Sequence, residues 1–113
     1  MKLVLFNLVV LIFLCVSCSK KDNEVHLSET IIFEGELFQL ESNDPYSGIV
    51  YNTYPDGKRE YEGKYINGRP NGSLIYWYQS GNKMRHGELK DGIPIGRWNY
   101  YNEDGSLNKY IDY

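Results

Sequence analysis

Glycines at 48, 72 and 96 open a pattern that returns every 24 residues, and that period constrains the fold more than any other feature of the chain. The same offset carries Gly57 onto Gly81 and Gly105, Gly63 onto Gly87, Gly68 onto Gly92 and Pro70 onto Pro94. A repeat of this length is one small supersecondary unit that cannot bury its apolar face alone and must stack on copies of itself. Such an array offers a surface before it offers an enclosed site.

The punctuation of the repeat says what the unit is. Asp56-Gly57, Asn67-Gly68, Asn71-Gly72, Ser80-Gly81, Asp91-Gly92 and Asp104-Gly105 are turn dipeptides, which populate the positive backbone angles of tight hairpins, so each is expected to reverse the chain. Runs of about eight residues between them suit strands and are too short for stable helices. The sequence therefore predicts an all-β, single-layer antiparallel meander of stacked 24-residue hairpin repeats, with strands near 48–54, 58–66, 73–79, 82–90, 96–102 and 106–113. An earlier strand is expected over Ile31 to Phe38, where Phe33-Glu34-Gly35-Glu36-Leu37 can be laid on Arg85-His86-Gly87-Glu88-Leu89. That copy has a longer connection through Ser42-Asn43-Asp44-Pro45, so residues 31–47 read as a degenerate, capping first repeat of a domain spanning 31–113.

From Tyr46 onward the chain holds all 11 tyrosines and both tryptophans. Strand alternation puts Val50, Leu74, Tyr76 and Trp98 on one face and Tyr51, Ile75, Trp77 and Tyr101 on the other. Both faces carry aromatics, as neighbouring repeats stacked ring on ring would require. Gly63 and Gly87, in mid-strand, are expected to let a cross-strand ring lie over the backbone. Gly48, Gly68, Gly72, Gly92 and Gly96 complete the structural set.

The N-terminus reads as an address rather than as fold. Lys2 is followed by a stretch from Leu3 to Leu14 that is apolar except for Asn7, and small Ser17 precedes Cys18. This resembles a bacterial lipoprotein signal over residues 1–17, which implies cleavage before Cys18 and its lipidation; Cys15 stands where such signals usually carry Leu. The apolar run is shorter than the roughly 20 residues a spanning helix needs. Residues 18–30 are expected to be a flexible tether, and the run from Cys18 to Glu24 is similar to the export signal of surface lipoproteins. The resemblance places the protein in the cell envelope, as an outer-membrane lipoprotein that could face outward, with its lipid as the membrane contact. Loss of Lys2 with the signal leaves 11 basic against 15 acidic residues, a formal charge of −4. No basic patch for nucleic acid is visible.

The segment Tyr61-Glu62-Gly63-Lys64-Tyr65-Ile66-Asn67-Gly68-Arg69-Pro70-Asn71-Gly72, with Tyr76-Trp77-Tyr78-Gln79-Ser80-Gly81 after it, is similar to the MORN (membrane occupation and recognition nexus) repeat. Tyr65 replaces the usual Trp, and the next unit keeps all three glycines but loses the leading Tyr and the aromatic at Leu89. Short bacterial proteins with MORN-like repeats are often described as antitoxin components. The resemblance implies a non-catalytic β module for protein or membrane contact, here compatible with an immunity role in the envelope.

Chemistry is sparse. His26 falls in the expected tether, and His86 shares its repeat position with Glu62 and Tyr110, which marks an ordinary strand residue. A lone histidine makes neither a metal site nor a triad. Asp56, Asp91 and Asp104 precede turn glycines, so turn formation is their expected work. The glycines lack the strand-to-helix context of a phosphate loop. No enzyme, cofactor or metal is expected. The candidate binding surface comprises Tyr51, Tyr76, Trp77, Tyr101, Arg69, Arg85 and Arg97, residue types that dominate protein contacts. The alternative is a glycan-binding surface that uses the Tyr and Trp rings as platforms.

Overall fold

The computed structural model describes residues 22–113. The fold is all-β: β1 (Glu24–His26), a 3-10 turn (Leu27–Glu29), β2 (Thr30–Phe33), β3 (Glu36–Gln39), β4 (Gly48–Thr53), β5 (Arg59–Ile66), β6 (Arg69–Trp77), β7 (Lys83–Lys90), β8 (Ile93–Tyr101) and β9 (Leu107–Asp112). Seven strands form one sheet in the order β1-β4-β5-β6-β7-β8-β9, while β2 and β3 make a separate hairpin. From β4 to β9 the sheet is an antiparallel meander.

The 24-residue period is visible in the backbone bonds. Tyr54, Tyr78 and Asn102 each donate N–H to the residue four positions on, across Gly57, Gly81 and Gly105, at 2.8 Å. One extra residue follows each of these turns, at Glu60, Met84 and Asn108, where the pairing register slips. The alternate connections, Asn67-Gly68 and Asp91-Gly92, are two-residue turns in which both residues have positive φ. Units are also tied to one another: Gly68 N–H reaches Tyr46 O and Gly92 N–H reaches Pro70 O, both at 2.8 Å. The hydroxyl of Tyr54 donates to Trp77 O at 2.6 Å, and that of Tyr78 to Tyr101 O at 2.7 Å.

One row of the sheet explains the mid-strand glycines. Val50, Gly63, Leu74 and Gly87 pair across four strands. A side chain on Gly87 would overlap the Trp98 indole, which is 5% exposed and donates Nε1–H to Glu88 O at 3.2 Å. At Gly63 the expectation of a cross-strand ring needs correcting. The space is taken by Tyr61 of the same strand, with Leu74 beside it. Two residues apart on a strand means the same face, so Tyr61 and Tyr65 flank Gly63 and their hydroxyls meet above it at 3.2 Å.

Three further expectations fail. Residues 18–30 are not all tether, because Glu24–His26 pairs parallel with β4 and Val25 is 2% exposed. Val25 seals Val50, itself fully buried, so the fold begins before residue 31 and takes in part of the expected linker. Residues 31–47 do not extend the array: Glu34-Gly35 is a hairpin turn, with φ of 51° and 80°, and not a strand centre like Gly87. Asn71-Gly72 lies inside β6 and reverses nothing.

The hairpin is fixed instead on the face bearing Val50. Leu37 donates N–H to Gly68 O at 2.9 Å, Tyr46 donates to Leu37 O at 2.8 Å, and the Tyr46 hydroxyl reaches Asn23 O and Ile49 O, both at 3.0 Å. Val25, Leu37, Tyr46 and Val50 form the core with Tyr61 and Tyr65 against them. The main buried cluster thus sits at the N-terminal end, and farther along the sheet Trp98 is the buried hydrophobic side chain among the described residues.

Candidate interaction surface

Cys18 and the rest of the expected signal lie outside the described residues. The other candidates divide between the two faces. On the core face, cross-strand pairing strings together Tyr61, Tyr76, Arg85, Tyr100 and Lys109, one residue per strand from β5 to β9. The Tyr61 and Tyr76 rings stand 5.0 Å apart at 53°, the Arg85 guanidinium lies 4.0 Å from the Tyr76 ring centre, and Lys109 Nζ is 5.2 Å from that of Tyr100. From Tyr76 onward rings and cations alternate, so that each cation sits on a π face. Arg85 keeps its Nε buried without a hydrogen-bond partner, which fits a side chain held by stacking.

The outer face carries Tyr51, Trp77, Tyr101 and Arg97. Tyr51 is packed edge-on by His26 at 5.3 Å and capped by Arg59 at 4.2 Å. Arg59 is held in turn by Glu24 at 2.8 Å and Glu62 at 3.0 Å. Arg97 lies 3.9 Å from the Tyr110 ring centre and grips Asp112 with two contacts of 2.7 and 3.0 Å, which hold that carboxyl below its usual pKa. Arg69 belongs to neither row; it stands just after the Asn67-Gly68 turn, 3.9 Å from Glu36 of the hairpin. The seven residues do not form one patch, and the structure brings together only Tyr76 with Arg85. Tyr51, Tyr76, Trp77 and Tyr101 are all half-buried, as ladder residues are.

Two features escaped the sequence reading. A cleft of about 250 Å³ on the core face is lined by Tyr61, Tyr65 and Tyr76 with Asn52, Glu60 and Leu27. Burial, helped by the bond to Tyr65, raises the Tyr61 hydroxyl far above its ordinary pKa, so it stays protonated. The spacing Tyr61-x-Gly63-x-Tyr65 was the available signal. The second feature is the hairpin, whose Ile31, Ile32 and Phe33 are 53%, 71% and 62% exposed; Ile31 and Phe33 line a groove of about 400 Å³ with Phe38, and Ile32 points to the other face. Its β-branched run was visible, but its exposure depended on which residue turned inward, and Leu37 did.

His86 is a mid-strand residue paired with Ile75 and Asn99, with Nε2 3.3 Å from Ser73 Oγ. Burial, then nearby Lys83, lowers its pKa. Asp56 and Asp104 accept from the backbone N–H two residues on, at 2.9 and 2.8 Å, as turn residues do. Among the described residues, no three His, Cys, Asp or Glu side chains group as a metal site requires, and no helix is long and apolar enough to cross a membrane. No protein-family model, characterised protein or solved structure matches the chain.

Proposed function

We propose that the protein is a non-catalytic envelope lipoprotein, anchored through Cys18, whose MORN-like repeat sheet presents the β2–β3 hairpin to a protein partner. The observation that carries this reading is the exposure of Ile31, Ile32 and Phe33 on a hairpin whose base is pinned by backbone bonds at Leu37 and Tyr46. Ile31 and Phe33 share one face of β2 with Phe38 while Ile32 is exposed on the other face, and apolar exposure of this kind on a small, otherwise acidic domain favours a contact surface. Its pinned base means that little ordering entropy opposes binding. The described clefts are open, which suits contact better than catalysis. An immunity-like role, in which the patch covers a surface of another protein, is the form that the repeat resemblance suggests.

The test is a photo-crosslinking residue placed at Phe33 in cells, with Asn108 on the opposite edge of the sheet as control. One polypeptide captured from Phe33, lost when Ile31→Asp is added on the same face and not captured from Asn108, supports the reading. Equal capture from both positions sinks it. Cys18→Ala should move the chain out of the membrane fraction. A second reading, glycan binding, is favoured by the cleft whose tyrosine walls combine with Asn52 and Glu60 as hydrogen-bonding groups. It requires sugar-induced shifts that Tyr61→Ala abolishes.

A further inference from the structure

Lys64 and Glu88 hold the same place in consecutive units, each at a widened stretch of the following strand that contains a positive-φ glycine. These are Gly72, with φ 114°, and Gly96, with φ 66°. In the first unit the stem of Lys64 fills the space above the glycine. Its Cδ, Cβ and Cγ lie 3.1, 3.3 and 3.5 Å from the point where a Cβ on Gly72 would stand. In the second unit nothing lies within 4 Å of the corresponding point on Gly96. An open cleft of about 330 Å³ occupies that place, lined by Glu88, His86, Ile95, Arg97 and Asn99.

The charge of the cleft follows from its partners. Arg97 is committed to Asp112. His86 is neutral at pH 7, since its pKa lies below the ordinary 6.5. Glu88 is exposed and makes no ion pair among the described residues. One unopposed carboxylate therefore stands beside a channel that, one unit earlier, accommodates an aliphatic stem ending in an ammonium.

We propose that the cleft at Gly96 receives a lysine side chain from a partner polypeptide, its stem lying over Gly96 as Lys64 lies over Gly72 and its ammonium meeting Glu88. The chain covers the glycine with a lysine stem of its own in one unit and leaves the place open in the next. Lysine suits the site because its slender stem ends in a compact charge, whereas a planar guanidinium would crowd the adjacent Arg97. This inference rests on the protein-contact reading above, and it names a second point of contact on the opposite face of the sheet.

The test uses the full chain in a non-ionic detergent, titrated with acetyl-Gly-Lys-Gly-amide and followed by amide shifts. The counterparts containing norleucine and arginine serve as comparisons. Shifts should concentrate at His86, Gly96 and Asn99, and the lysine peptide should bind about fivefold more tightly than the norleucine peptide. Glu88→Gln should erase that difference. Glu88→Lys should abolish binding while keeping the wild-type melting temperature, because its own stem then covers Gly96. Equal affinity for lysine and norleucine peptides, arginine preferred to lysine, or shifts away from Gly96 would each overturn the proposal. Failure here with crosslinking from Phe33 intact removes the lysine subsite alone; lysine binding without that crosslink removes the hairpin reading alone.

Discussion

The indole of Trp98 occupies the space that a side chain on Gly87 would need, so one unit is seated on the next through the absence of an atom. Overfilling such a contact displaces a nearly buried ring and costs at least about 2 kcal/mol. Gly87→Val should therefore melt well below wild type, and Gly87→Ala should show a smaller loss. Pairing Gly87→Ala with Trp98→Leu should return part of that loss, since the two side chains compete for one space. A Gly87→Val chain that melts with the wild type would remove the seating argument.

Gly63 holds the equivalent position with a different occupant, and the contrast gives a graded expectation. There the intruding group is the hydroxyl end of Tyr61, which can swing away if its bond to Tyr65 is given up. Gly63→Ala should cost less than Gly87→Ala in paired thermal melts, and Tyr61→Phe should reduce the cost further. The reverse order would show that Trp98 moves more freely than its burial suggests.

The hydroxyls of Tyr54 and Tyr78 bridge successive units by donating to the carbonyls of Trp77 and Tyr101. A hydrogen bond of this kind is worth about 1 kcal/mol net, so Tyr78→Phe should destabilise by that amount in urea unfolding. Tyr54→Phe should act in the same direction, and the double variant should be additive because the two bonds share no atoms. Unchanged midpoints for both would mean that water replaces the bridges without loss.

How much of this was legible depends on the distance over which each feature is encoded. The period and the six strands of the meander are local and repeated, so glycine spacing and strand alternation sufficed; the same reasoning found the cross-strand ring at Gly87 and missed that Tyr61 of its own strand fills the place at Gly63. Alternation even placed Tyr76 and Trp77 on opposite faces, which already argued against a single patch containing both. The strand around Val25 was not legible, because three residues hold one apolar side chain and no periodicity. It exists because Val50 offers an apolar partner across the sheet edge. Gly35 misled for a related reason: glycine serves both turns and mid-strand seats, and which it does is set by how the flanking residues pair, Phe33 with Glu36 around Gly35. The rows of ring and cation needed the register, which the extra residues Glu60, Met84 and Asn108 shift by one in each unit. The open cleft at Gly96 needed a comparison of two units side by side.

His86 gives the array a pH dependence of predictable sign. Burial and Lys83 lower its folded pKa, while Glu88 opposes them, so the unfolded chain takes up more protons as pH falls below the ordinary 6.5. The stability from the neutral ring is present above 6.5 and declines as pH falls through the folded pKa. Melting temperature should drop between pH 7.5 and 5.5, and His86→Gln should flatten that slope. Glu88→Gln should steepen it by removing the opposing charge. Asp104 and Asp112, whose pKa values are also depressed, contribute the same sign only at more acidic pH. An identical slope in wild type and His86→Gln would exclude this residue as the source.

If the units interact mainly with their neighbours, the array should lengthen without redesign. Gly72 and Gly96 are equivalent positions, so repeating residues 73–96 directly after Gly96 preserves the turn and the extra residue after it in both copies; the first Gly87 then faces the inserted Leu74, as Gly63 faces Leu74, and the second keeps Trp98. The enlarged chain should remain folded, and its urea m-value should rise with the surface the added unit buries. Its midpoint should not fall, because one more glycine–Leu74 interface of the kind that Gly63 makes joins the array while the core around Val25, Leu37, Tyr46 and Val50 is untouched. The far edge should resist further stacking. Ile111 stands on β9 where the earlier units have Gly63 and Gly87, and it pairs directly with Trp98. A side chain at that position leaves no seat for another ring, so residues 90–113 repeated after Tyr113, which stands where Leu89 does, should add little stability unless Ile111→Gly accompanies them. Equal stabilisation with and without that substitution would show that strand pairing alone, and not the glycine seat, joins the units.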